Sequence, residues 1–118
     1  MRILCIGDSN TWGYVPGEDG VRTDKRWTKL LEHLRPNDTI LEEGLCGRTV
    51  IAKDTIVPVR CGIDTLPILM LSHVPVDLVI IMLGTNDLKK QFNPSAKLIA
   101  KGIEEYIKYI RNPHLIAG

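Results

Sequence analysis

The sequence predicts an α/β domain built on a parallel sheet in a three-layer α/β/α arrangement, and three observations carry that expectation. Two nearly continuous apolar runs, Arg2 to Ile6 and Asp77 to Leu83, end at Gly7 and Gly84, the pattern of parallel strands covered on both faces. Between and after them, helical and extended segments alternate. The length of 118 residues, with 44% hydrophobic and 25% charged, fits a single domain over 1–118.

Taken in order, Lys25 to Leu34 sets Trp27, Leu30, Leu31 and Leu34 on one helical stripe. Arg35-Pro36-Asn37 stops that helix before a short strand at Thr39 to Leu41. From Gly44 to Arg60 no period is sustained, so a long loop is expected, followed by a helix around Ile63 to Leu71. After the third strand Asn93 is placed to cap a helix whose first residue is Pro94. Its buried stripe is Leu98, Ile99, Ile103, Tyr106, Ile107 and Ile110, and Asn112-Pro113 ends it.

Composition narrows the function. A net charge of +1 with scattered basic residues leaves no electrostatic footprint for nucleic acid and no polybasic membrane anchor. The opening apolar run is too short for a signal-peptide core, and no segment approaches the roughly 18 apolar residues of a membrane span. Three cysteines, Cys5, Cys46 and Cys61, are odd in number and lack metal-type spacing. Reduced thiols and a cytoplasmic location are therefore expected. No metal is expected, because Asp8 and Asp87 are too few carboxylates for a hard cation, and no cofactor is implied.

Chemistry concentrates in three polar clusters, each following an expected strand: Gly7-Asp8-Ser9-Asn10-Thr11-Trp12-Gly13, Gly44-Leu45-Cys46-Gly47-Arg48-Thr49 and Gly84-Thr85-Asn86-Asp87. In a parallel sheet all three emerge on one edge. Acyl transfer needs a hydroxyl nucleophile on a sharp strand-to-helix turn, a backbone N–H facing an oxyanion and a side-chain amide donor. Ser9, Gly47 and Asn86 supply these types, although serine and asparagine after glycine are also ordinary turn residues. Cys46 is a pocket-wall residue or a rival nucleophile, and Trp12 a pocket wall or part of the core. Arg48 is expected to be solvated or paired with Glu42 or Glu43.

On Gly7-Asp8-Ser9 and Gly84-Thr85-Asn86-Asp87 the chain resembles the SGNH (GDSL-like) hydrolases, a flavodoxin-like α/β family. Residues 7–13, 42–49 and 77–87 are similar to its arylesterase and acyltransferase subgroup. The resemblance implies a serine ester hydrolase, esterase or lipase-like acylhydrolase or acyltransferase, working on small acyl esters through an acyl-Ser9 intermediate. By it, the Ser9 N–H, the Gly47 N–H and the Asn86 amide form the oxyanion hole. Asp8 and Asp87 support the loops, while Asn10, Trp12, Cys46 and Thr85 line the pocket.

The family's base lies in an Asp-x-x-His motif near the C-terminus, which this sequence lacks. Its histidines, His33, His73 and His114, are all expected at the amino ends of the strands, the wrong edge for Ser9. The expectation is therefore the N-terminal part of such a domain, impaired alone, with a missing segment or a second copy covering the third strand. Two alternatives remain: a non-catalytic module that binds a ligand or self-associates through its open sheet edge, and a phosphate or flavin loop at Ser9, Asn10 and Thr11.

Overall fold

Strands β1 (Arg2–Gly7), β2 (Thr39–Gly44) and β3 (Leu78–Met82) form one parallel sheet in the order β2-β1-β3. This is an α/β fold, as the alternation of strand and helix patterns predicts. The computed structural model describes residues 1–112; Pro113 as a helix stop and His114 lie outside the described residues. Contacts divide the chain into two units, Met1–Gly47 with Pro75–Met82 and Arg48–Val74 with Leu83–Gly118.

The first unit contains the sheet with helices α1 (Ser9–Trp12) and α2 (Trp27–Leu34). Strand β1 lies between the other two, and Ile3, Leu4, Cys5 and Ile6 are its buried core. Burial of the Cys5 sulfur, with the Glu42 carboxylate nearby, pushes its thiol up to about 11. The register runs from Arg2↔Thr39 to Gly7↔Gly44, so β2 continues three residues beyond the expected Leu41. Glu42 is accommodated in this extension because its carboxylate is paired with Arg26.

Helix α2 begins at Trp27, two residues later than expected, and its apolar stripe is not its buried face. Leu30 and Leu34 are exposed, at 56% and 76%. Thr28 is fully buried instead, with its hydroxyl donating to Glu42 Oε1 at 2.5 Å. A half-buried carboxylate needs donors, and here that need outranks the hydrophobic period. Strand β3 also departs from expectation: Leu78 and Met82 are exposed and only the three residues between them are half-buried.

The second unit comprises α3 (Gly62–His73), α4 (Ala96–Ile110), short 3-10 turns at Pro58–Arg60 and Asn86–Leu88, and the segment after Gly47. Its core is Val50, Ala52, Cys61, Leu66, Met70 and Tyr106. The expected long loop is ordered by a parallel bridge between Thr49 and Cys61 and by Asp54, whose Oδ1 accepts from the N–H groups of Ile56 and Val57.

Helix α4 is capped by Ser95, whose hydroxyl accepts from Leu98 N at 3.1 Å, and not by Asn93. Asn93 sits at φ 42, outside the extended conformation of a cap. The buried face is also narrower than the apolar stripe. Gly102 and Tyr106 are buried, whereas Leu98 and Ile107 are exposed at 51% and 46%. Among the described residues no helix is long and apolar enough to cross a membrane.

Candidate active site

Because β1 is central and the chain leaves it first toward β2 and later returns as β3, the carboxyl end of β1 is the topological switch point of the sheet, where α/β proteins place ligands. Asp8 and Ser9 occupy that end. Asp8 is buried and caps α1, its Oδ1 accepting from Asn10 N at 3.0 Å while its carbonyl accepts from Thr11 N and Trp12 N. The Ser9 carbonyl accepts from Gly13 N and Tyr14 N at 2.8 and 3.0 Å. Ser9 is half-buried on this four-residue turn, in which the N–H groups from Asn10 to Tyr14 are hydrogen-bonded to Asp8 and Ser9, and Asn10 beside it is exposed.

That turn rests directly on β2. A side chain at Gly44 would overlap the backbone of Trp12 and Thr11, so only glycine permits the approach. The far end of the turn is held by arginines. Arg22 Nε donates to the Trp12 carbonyl at 2.6 Å, with its guanidinium 5.5 Å from the centre of the indole ring. Buried Arg26 donates from Nε and Nη2 to Glu42 Oε1 and Oε2 at 2.7 and 3.2 Å, and from Nη1 to the Thr23 carbonyl. The Arg26 guanidinium and the Thr28 hydroxyl together hold the Glu42 carboxyl down at about 2, despite the opposing effect of burial. Trp27 Nε1 donates to Thr11 Oγ1 at 3.1 Å.

Cys46 and Gly47 follow β2 in the same unit, both half-buried, with Gly47 at φ 82. This left-handed conformation suits glycine and redirects the chain after the strand.

In the second unit Thr85 is exposed, Asn86 half-buried and Asp87 fully buried. Asp87 Oδ1 accepts from Val50 N at 2.7 Å, and Oδ2 accepts from Ile51 N and Ala52 N at 3.1 and 3.0 Å. Three consecutive backbone N–H groups thus converge on one carboxylate. Asn86 Nδ2 donates to the Arg48 carbonyl at 3.1 Å, which fixes the face the amide presents. Arg48 is itself buried, contrary to the expectation of a solvated arginine, and the partners of Glu42 are Arg26, Thr28 and, at 3.8 Å, Arg22. Among the described residues no group of three or more potential ligands is gathered to hold a metal.

Arg26 and Thr28 in the first unit, and Tyr106 in the second, are supporting residues that the sequence did not mark. Tyr106 donates its hydroxyl to the Val50 carbonyl at 2.8 Å. An unusually polar entry to α2, Asp24-Lys25-Arg26 before an apolar helix face, was the available signal for Arg26; none marks Tyr106 apart from its place in the stripe.

Comparison with known proteins decides the family. The GDSL-like Lipase/Acylhydrolase family model matches residues 5–116. The chain belongs to that family. It is similar to the aryl esterase of M. smegmatis, at 45% identity and a TM-score of 0.83 over 91% of this chain and 53% of that one. Similarity extends to Est24, a carbohydrate acetylesterase from Sinorhizobium meliloti, at 39% identity and TM-score 0.84 over 91% and 53%. Another carbohydrate acetylesterase family member from that organism matches at 36% and 0.85 over 94% and 54%. The chain spans about half the length of these solved structures. No curated protein matches.

Proposed function

We propose that this chain carries the nucleophile and the oxyanion donors of a serine carboxylic ester hydrolase for small acyl esters. The observation that supports the reading most is Ser9 on a short turn capped by Asp8 at the switch point of a sheet of this family. Ser9 Oγ attacks the ester carbonyl carbon while a base takes its proton. The oxyanion is met by the N–H groups of Ser9 and Gly47 and the Asn86 amide. Collapse expels the alcohol with that proton and leaves acyl-Ser9, which water hydrolyses or another alcohol accepts. Asp8 and Asp87 brace the loops, and Asn10, Trp12, Cys46 and Thr85 border the acyl or alcohol group. The protein acts in the cytoplasm.

His33 is not placed to be that base. His33 ends α2, which enters β2 at its amino end, whereas Ser9 follows the carboxyl end of β1. A six-residue strand of about 20 Å separates those edges, far beyond a hydrogen bond. Without a base the turnover falls by about four to six orders of magnitude. The test is hydrolysis of a short-chain chromogenic ester by the purified chain beside Ser9→Ala. Activity that Ser9→Ala abolishes supports the nucleophile; a rate above background that survives unchanged in Ser9→Ala refutes it, and background rates in both mark a chain that lacks its base.

A second reading is a non-catalytic module that associates through β3. Among the described residues β3 pairs only with β1, and Leu78 and Met82 are exposed at 43% and 46%, which favours assembly of copies along that edge.

A further inference from the structure

We infer that Tyr106 of α4 is a positioning residue for the Asn86 amide, acting through the backbone of residues 48–52. The inference rests on the assignment of Asn86 as an oxyanion donor and adds a residue far from it in sequence. Tyr106 is fully buried, and burial pushes its phenol above the ordinary tyrosine value, so the hydroxyl remains a donor across the physiological range. It donates to the Val50 carbonyl at 2.8 Å. The N–H of Val50 donates in turn to Asp87, and the Arg48 carbonyl, two residues earlier, accepts from Asn86. Asn86 and Asp87 are neighbours, so their side chains grip the same short segment that Tyr106 holds through the Val50 carbonyl.

Packing leaves that segment little freedom. A Cβ on Gly62 would overlap the Tyr106 hydroxyl and the Thr49 carbonyl oxygen, and one on Gly102 would overlap Ile51 and press on Val50 at 2.8 Å. Residues 49–51 are thus wedged between α3 and α4 with no room for a methyl group on either helix. Burial alone would not require the tyrosine hydroxyl. A phenylalanine would fill the same volume, but the hydroxyl ties the Val50 peptide to α4 and so fixes the height at which Arg48 meets the Asn86 amide. One Nδ2 hydrogen is committed to Arg48; the other is held in a single direction only while that carbonyl stays in place.

The test is Tyr106→Phe, which deletes the hydroxyl and leaves the ring. The Val50 carbonyl keeps the Ile63 N–H at 3.0 Å, so the variant retains one bond at this oxygen and folds. In 15N-labelled chain, the Asn86 side-chain NH2 pair is expected to shift toward the position of a solvated amide. Amide exchange at Val50 and Ile51 should rise about tenfold, the loss of one hydrogen bond. Faster exchange with an unmoved Asn86 pair would leave Tyr106 as packing alone and overturn the inference, as would no change in either.

In the ester assay the companion variants are Asn86→Ala and the double variant. Tyr106→Phe should lower kcat several-fold at constant KM in the native background and have no effect on kcat in the Asn86→Ala background. Equal penalties in both backgrounds would overturn the positioning role while sparing the oxyanion assignment. Full activity in Asn86→Ala would instead sink that assignment, and the inference with it.

Discussion

At the scale of single residues, the carboxylate that decides most is Glu42, because it holds Arg26 and Thr28 while Arg22, at 3.8 Å from it, also holds the end of the Ser9 turn. Its folded-state pKa, near 2, lies below the ordinary carboxylate value, so the folded state favours the charged form. That contribution is complete above the unfolded value of about 4.3 and disappears as pH falls toward 2. With solvent screening it is on the order of 1 to 2 kcal/mol. Glu42→Gln should therefore lower stability at pH 7 by about 2 kcal/mol, since a neutral amide leaves Arg26 short of a counter-charge. In urea titrations the gap from the native chain should narrow between pH 5 and pH 2.5; a constant gap would mean that charge is not what the site requires. Ser9 and Asp8 were legible in the sequence because a glycine, an acidic cap and a hydroxyl are adjacent there. Glu42 with Arg26 was not legible, because the pair joins a strand to a helix entry 16 residues apart and obeys no period.

At the scale of elements, the order of strands and helices was readable from apolar runs and glycine stops, while the faces were not. Helix α2 shows why: the stripe of Trp27, Leu30, Leu31 and Leu34 satisfies the helical period, yet Thr28 and the preceding Arg26 take the interior because β2 presents a carboxylate there. The end of β2 was missed for the same reason. The start of α4 was missed by two residues because Asn93-Pro94 and Pro94-Ser95 are both plausible entries by residue type, and only backbone geometry separates them. The contact of α1 with β2 depends on Gly44, where a methyl group would meet backbone atoms that cannot swing aside. Gly44→Ala is expected to cost about 2 to 3 kcal/mol, a large value for one methyl group, and to lower the melting temperature by roughly ten degrees. It should also alter Trp12 fluorescence, since Trp12 is what the methyl would displace. Unchanged melting with native fluorescence would show that the turn does not rest on the strand this closely.

For the molecule as a whole, the feature expected to govern behaviour in solution is the outer edge of β3. Leu78-Val79-Ile80-Ile81-Met82 is a run of five apolar residues with no charge and no proline, paired on one side only among the described residues. Such an edge offers a row of backbone donors and acceptors to any other strand, and it lacks the lysines or bulges that normally blunt exposed edges. The chain should therefore sediment above monomer mass at tens of micromolar and return toward monomer on dilution. Leu78→Lys places a charge at the exposed start of the strand, 43% accessible, without entering the buried part of β1. It should bring the mass to that of one chain while changing folding stability by no more than about 0.5 kcal/mol, as expected for a surface position. The ester assay separates the two functional readings in the same sample. If assembly supplies a base, hydrolysis falls together with mass in Leu78→Lys; if the edge merely associates, mass falls and the rate per chain stays where it was. An unchanged mass would show that assembly does not run through β3.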